Sequence, residues 1–130
     1  MVAYSFKAEF APLVESGKKV HTIRNARKNG HVELGQKVQL YTGLRTKNCR
    51  KLVETDPVCW QVFEIDIYQS QNVYINEIVL NRKEVEVLAL GDGFDDVQSF
   101  FDFFGEYQPR WLICWAEVDY LKKFITAYPA

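Results

Sequence analysis

Four side chains able to bind an anion or move a proton, Lys19, His21, Thr22 and Arg24, fall within six residues of the run Gly17-Lys18-Lys19-Val20-His21-Thr22-Ile23-Arg24. A strand that only filled a core has no use for so many polar groups so close together. A lysine beside other cations and partly withdrawn from water has a lowered pKa and can act as an acid or a base. Its alternative is a solvated lysine at a strand end. Thr22 is either a nucleophile activated by Lys19 or a hydrogen-bond donor, unless it serves only as a good strand residue. Arg24 shares the face of Thr22 and suits bidentate contact with phosphate or carboxylate; otherwise it pairs with an acid elsewhere, Asp92 among them. Asp92 stands between Gly91 and Gly93. Flanking glycines let a backbone turn tightly and aim a carboxylate into a cleft, although an Asx-turn or a helix cap explains the same pattern. His21 points with Ile23 and reads as a packing histidine whose polar atoms are satisfied in the core. His31 sits in a basic loop and has less to recommend it.

These residues need elements to hold them. Residues 3–7 read as a strand, and Glu9 to Ser16 as a short helix with Phe10, Leu13 and Val14 on one face and Pro12 in its first turn. Gly17 ends that helix, and Lys19 to Arg24 returns as a strand. Strict alternation places Lys19 and Thr22 on opposite faces, so their cooperation needs a bulge or a Lys19 that lies in the turn before the strand. Residues 25–35 form a basic loop, Lys37 to Thr42 alternates as a strand, and residues 43–57 form a second basic loop. Val58 to Leu80, broken at Gln69–Asn72, reads as a hairpin of two long strands. Lys83–Leu90 and Asp95–Phe104 follow as helices, with Asp95 or Asp96 near the second N-cap. Trp111–Tyr120 closes the order as a strand. Several strands with few helices and no βαβ rhythm predict an α+β domain built on a small mixed or antiparallel β-barrel flanked by short helices.

The charge is unevenly spread. The chain is 130 residues long with a formal net charge of −1, yet Lys18 to Val53 holds ten Lys/Arg and only Glu33 as an acid, so that segment carries +9 and the remainder −10. Such internal polarity points to an anionic ligand. The length fits one domain over residues 1–130. Three cysteines without CxxC spacing fit a reducing cytoplasm. The N-terminus lacks an apolar signal core, and no stretch approaches the ~20 apolar residues of a membrane span, so a soluble intracellular protein is expected. No Gly-rich phosphate loop, HExxH or carboxylate cluster at metal spacing is present, which points away from metal catalysis. No cofactor is expected.

Tyr41, Arg45 and Lys47 form a second polar cluster. An aromatic at a strand end can stack on a base beside a cationic rim, and a Tyr/Lys pair could support metal-free RNA cleavage. Trp60, Trp111 and Trp115 lie in strand-like runs and read as core. Taken together, "ESGKKVHTIR", "YTGLRTKNCRKL" and "LALGDGFDDVQSFFDFF" resemble the ASCH domain, a member of the PUA-like superfamily of small β-barrels, over roughly Tyr4 to Tyr120. The resemblance implies binding of RNA or a nucleotide. It also implies, as an alternative, amidohydrolase action on an acylated nucleoside such as acetylcytidine, or ribonuclease action. In the amidohydrolase branch a Lys and a Thr of the glycine-led strand work with a Glu of an "EGF" turn. The matching residues are Lys19, Thr22 and Asp92, with Asp in place of Glu and one methylene shorter. Arg24, Tyr41, Arg45 and Lys47 are then expected to contact the RNA or nucleoside. A protein-interaction module using the acidic half remains a third reading.

Overall fold

The computed structural model describes residues 2–125. It is an α+β structure in which one five-stranded sheet is covered on both faces. Strand β1 (Val2–Phe6) leads into helix α1 (Ala11–Ser16). Pro12 fits the first turn of α1, where its missing N–H is no loss. Gly17 ends the helix at φ +81°, with its N–H on the Val14 carbonyl, a left-handed cap that glycine adopts without strain. Strand β2 (His21–Asn25) follows, then β3 (Val38–Thr42), β4 (Arg50–Lys51) and β5 (Gln61–Ile67). Strands β6 (Val73–Ile75) and β7 (Ile78–Val79) lead to α2 (Arg82–Gly91), α3 (Val97–Phe104) and β8 (Arg110–Cys114). A 3₁₀ turn (Asp119–Leu121) and α4 (Lys122–Ile125) complete the described chain.

The expected barrel is not what forms. The described strands divide into two separate sheets, β1-β3-β4 and β2-β8-β5-β6-β7. In the smaller sheet β1 pairs with β3 in parallel, Val2 opposite Val38 through Phe6 opposite Thr42. In the larger, β2 and β5 flank β8 in antiparallel register, with Thr22 opposite Ile113 and Val62 opposite Ile113 from the other side. No ladder joins β1 or β3 to the larger sheet among the described residues, so the cylinder stays open.

Side-chain alternation along β8 shows the layering. Leu112 and Cys114 enter the core shared with α2 and α3, where Phe63, Ile65, Leu88, Phe100 and Phe101 pack. Ile113 enters the opposite core with Tyr4, Phe6, Val14, Val38 and Leu40 of the smaller sheet and α1. A strand covered on both faces is apolar on both, which explains why "LIC" does not alternate. The final strand stops at Cys114, well short of the expected Tyr120, because both neighbours run out there: Cys114 is opposite His21 and Gln61, the first residues of β2 and β5. The second long strand of the expected hairpin also breaks. Asn76 and Glu77 turn through φ +49° and +68°, and β7 folds back on β6.

Candidate functional site

β2 is an edge strand of the larger sheet, and beside it the two layers part. There a cavity of about 190 Å³ opens, lined by polar groups of Lys19, Thr22, Arg24 and Asp92 and by the rings of Phe6, Phe10, Phe94 and Phe103. Lys19 reaches it from the turn after α1 rather than from β2: its N–H donates to the Leu13 carbonyl at 3.0 Å, and β2 begins only at His21. The alternation conflict between Lys19 and Thr22 is thereby resolved by the turn, with no bulge. Asp92 arrives from the opposite direction as the C-terminal cap of α2. That helix is fixed at its start by a reciprocal capping box between Asn81 and Glu84. The next residue, Gly93, adopts φ +100° with Phe10 Cδ1 only 2.9 Å from where a Cβ would stand. Only glycine lets the chain leave Asp92 here and still press against the cavity wall.

Lys19 and Asp92 are each 3% exposed. The Lys19 Nζ donates to the Asp92 backbone carbonyl at 2.6 Å and to its Oδ1 at 3.0 Å. His21, on the helix-facing side of β2, donates from Nδ1 to the same Oδ1 at 2.8 Å. Two donors on one carboxylate oxygen satisfy the buried charge, as burial demands. Both contacts fall on Oδ1. Lys19 also lies over the faces of Phe10 and Phe6, 5.3 and 5.7 Å from their centroids. Burial pushes the Lys19 ammonium below its ordinary pKa, against the opposing pull of Asp92, with Arg24 adding to the downward push. Arg24 donates from Nε to Thr22 Oγ1 at 3.0 Å and from a terminal nitrogen to the Ser5 carbonyl at 2.8 Å. The Thr22 hydroxyl is thus oriented by a cation. Arg24 makes no ion pair with Asp92 among the described residues.

Lys19, Thr22, Arg24 and Asp92 are therefore brought together. Tyr41, Arg45 and Lys47 are not: none of them lines the cavity. Tyr41 is half-buried opposite Lys51 of β4, and Arg45 and Lys47 are exposed in the loop beyond β3. His21 emerges with a larger part than its position suggested. It is buried and satisfied, and its partner is the site carboxylate itself. The aromatic lining was also missed. Phe10 and Phe94 meet edge to face at 5.4 Å, and Phe103 packs on both; the sequence signalled Phe94 and Phe103 only by the density of Phe around the GDGF turn, and Phe10 only as part of the apolar face of the first helix. His31 lies away from Asp92, between Tyr4 and Trp111.

No group of three or more His, Cys, Asp or Glu among the described residues is placed to hold a metal ion. No helix among them is long and apolar enough to cross a membrane. No protein-family model, curated protein or solved structure matches the chain. Chemically, the cavity offers flat apolar walls, a buried ammonium of lowered pKa, an oriented hydroxyl and a fixed carboxylate. That combination suits a small planar ligand with polar edges.

Proposed function

We propose that this chain is an ASCH-type, PUA-like domain, its strands divided between two sheets, that binds one nucleobase of a nucleoside, a nucleotide or an RNA strand in the cavity beside β2. The observation that carries this reading is the convergence of Lys19, Thr22, Arg24 and Asp92 on one aromatic-walled cavity of about 190 Å³. Phenylalanine faces give a base ring an apolar bed, and the carboxylate and ammonium match the donor and acceptor edge of a pyrimidine. The small volume favours a single base over a stretch of strand. The three free cysteines, two of them buried, support a cytoplasmic setting.

Calorimetric titration with cytidine and N4-acetylcytidine tests the reading. Binding to the native chain is expected, and Lys19→Met is expected to weaken it about 10- to 100-fold, the worth of one charge-assisted hydrogen bond. Absence of binding by any of the four common nucleosides or by N4-acetylcytidine at millimolar concentration would sink it.

One observation favours a second, catalytic reading. Although Asp92 is a methylene shorter than the Glu of the amidohydrolase branch, its carboxylate still meets Lys19 at 3.0 Å. In hydrolysis of an acylated exocyclic amine, Asp92 takes a proton from the attacking water, aided by the Thr22 hydroxyl. The new C–O bond forms as the amide C–N bond breaks. Lys19 gives a proton to the departing nitrogen, and the acid and the free base amine leave. Release of acetate from N4-acetylcytidine by the native chain, abolished in Lys19→Met, is the expected result; binding without release confines the site to recognition.

A further inference from the structure

Next to the cavity, with Arg24 in the wall of both, lies a second groove of about 300 Å³, lined by Tyr4, Ser5, Arg24, Asn25, Arg27 and His31 among others. Ser5 and Arg24 line both spaces. No Asp or Glu lines the groove, yet two guanidinium groups are held there. The Cζ atoms of Arg24 and Arg27 stand 5.3 and 5.2 Å from the centroid of the same Tyr4 ring. Neither arginine has a carboxylate partner among the described residues. Like charges gathered on one ring repel, and Asp92 acts on Arg24 only from beyond ion-pair distance.

His31 does not add to this charge. Its Nε2 is 2.8 Å from the Asn25 carbonyl, which can only accept, so Nε2 carries the proton. Its Nδ1 then accepts from the Tyr4 hydroxyl at 2.8 Å. Burial lowers the pKa of His31, which keeps the imidazole neutral. The histidine therefore fixes the Tyr4 ring on which both arginines rest. Arg27 donates to the Ala3 carbonyl at 3.1 Å and is otherwise exposed, so its side chain can receive a ligand.

The geometry points to a phosphate subsite in this groove, which adjoins the base cavity through Ser5 and Arg24, so that the ligand is a nucleotide with its base against the phenylalanines and its phosphate on Arg24 and Arg27. Guanidinium N–H groups suit phosphate oxygens, and Arg24 keeps its second terminal nitrogen outside its bonds to Thr22 and Ser5. The inference rests on the base-binding reading above and adds the phosphate to it. The phosphate can belong to a free mononucleotide or to a strand, and the two are separable.

The test is a calorimetric titration of cytidine, its 5′- and 3′-monophosphates and a cytidine-containing dinucleotide into the native chain, Arg27→Ala and Arg27→Lys. At least one phosphorylated probe is expected to bind about tenfold tighter than cytidine. Arg27→Ala is expected to remove most of that gain while leaving cytidine affinity unchanged, and Arg27→Lys to restore part of it. A gain confined to the dinucleotide supports the subsite and assigns the phosphate to a strand. If cytidine binds but no phosphate adds affinity, or the gain survives Arg27→Ala, the subsite is wrong and the base cavity stands. If neither nucleoside nor nucleotide binds, both readings fall.

Discussion

A carboxylate with 3% of its surface exposed keeps its charge only where donors reach it, and at Asp92 Lys19 and His21 meet on one oxygen. Removing either leaves the other side of the charge unmet. Lys19→Met is expected to cost about 3 kcal/mol, as breaking a buried ion pair does, and His21→Ala about 1–3 kcal/mol for a lost buried hydrogen bond; urea denaturation measures both. The two are also expected to be non-additive, since they share Oδ1. The pH dependence follows from the depressed Lys19 pKa, which burial holds below the ordinary 10.5. Between the folded value and the unfolded one, the unfolded chain binds more protons than the folded chain, so stability rises with pH in that alkaline window. The stability of the native chain relative to Lys19→Met is therefore expected to grow as pH is raised toward 10.5, and a flat difference contradicts a buried, depressed Lys19. Lys19, Thr22 and Asp92 were legible as candidates because four polar groups crowd six residues of one strand-like run and Asp92 stands between two glycines. His21 was not legible, because a lone histidine beside Ile23 looks the same whether its partner is a carbonyl in the core or the carboxylate of a site 71 residues away.

At the scale of elements, two helix ends and a glycine build the site. The Gly17 cap turns Lys19 inward ahead of β2, the end of α2 delivers Asp92, and Gly93 lets Phe94 close on Phe10. Gly93→Ala places a methyl group 2.9 Å from Phe10 Cδ1 and 3.2 Å from Leu13 Cδ1 at a backbone φ of +100°. It is expected to cost about 1–3 kcal/mol through strain and crowding, and to weaken nucleoside binding because Phe10 must move; unchanged affinity would show that Phe10 is no wall of the binding site. Helix positions were readable from caps: Asp96 accepts from the Ser99 N–H as its place before the phenylalanine run suggests. Strand lengths were not readable. β8 ends where its two neighbours end, and β6 ends at a turn whose positive φ residues, Asn76 and Glu77, are not glycines. Neither limit is local to the strand concerned.

Over the whole molecule, the segregated charge does not place every basic residue at the cavity. Arg24 lines it and Arg27 lines the neighbouring groove, whereas Arg45 and Lys47 belong to the loop beyond β3 and Arg50 to β4, where it pairs with Glu15 at 2.8 Å. A mononucleotide brings a single phosphate to these arginines and releases few counterions, so a log–log salt slope no steeper than roughly −0.7 is expected for it. A much steeper slope for longer RNA would bring the exposed basic loop into the interface. The α+β class was readable from the mixture of elements, but sheet partition was not, because the parallel pairing of β1 with β3 depends on contacts across more than thirty residues. The most direct test of the base-binding cavity is a crystal structure of the native chain with N4-acetylcytidine. The expected result is a base ring against the phenylalanine wall of the cavity, its polar edge within hydrogen-bond distance of Lys19 and Asp92. Nucleoside density elsewhere on the surface, with the cavity beside β2 empty at saturating ligand, would contradict it.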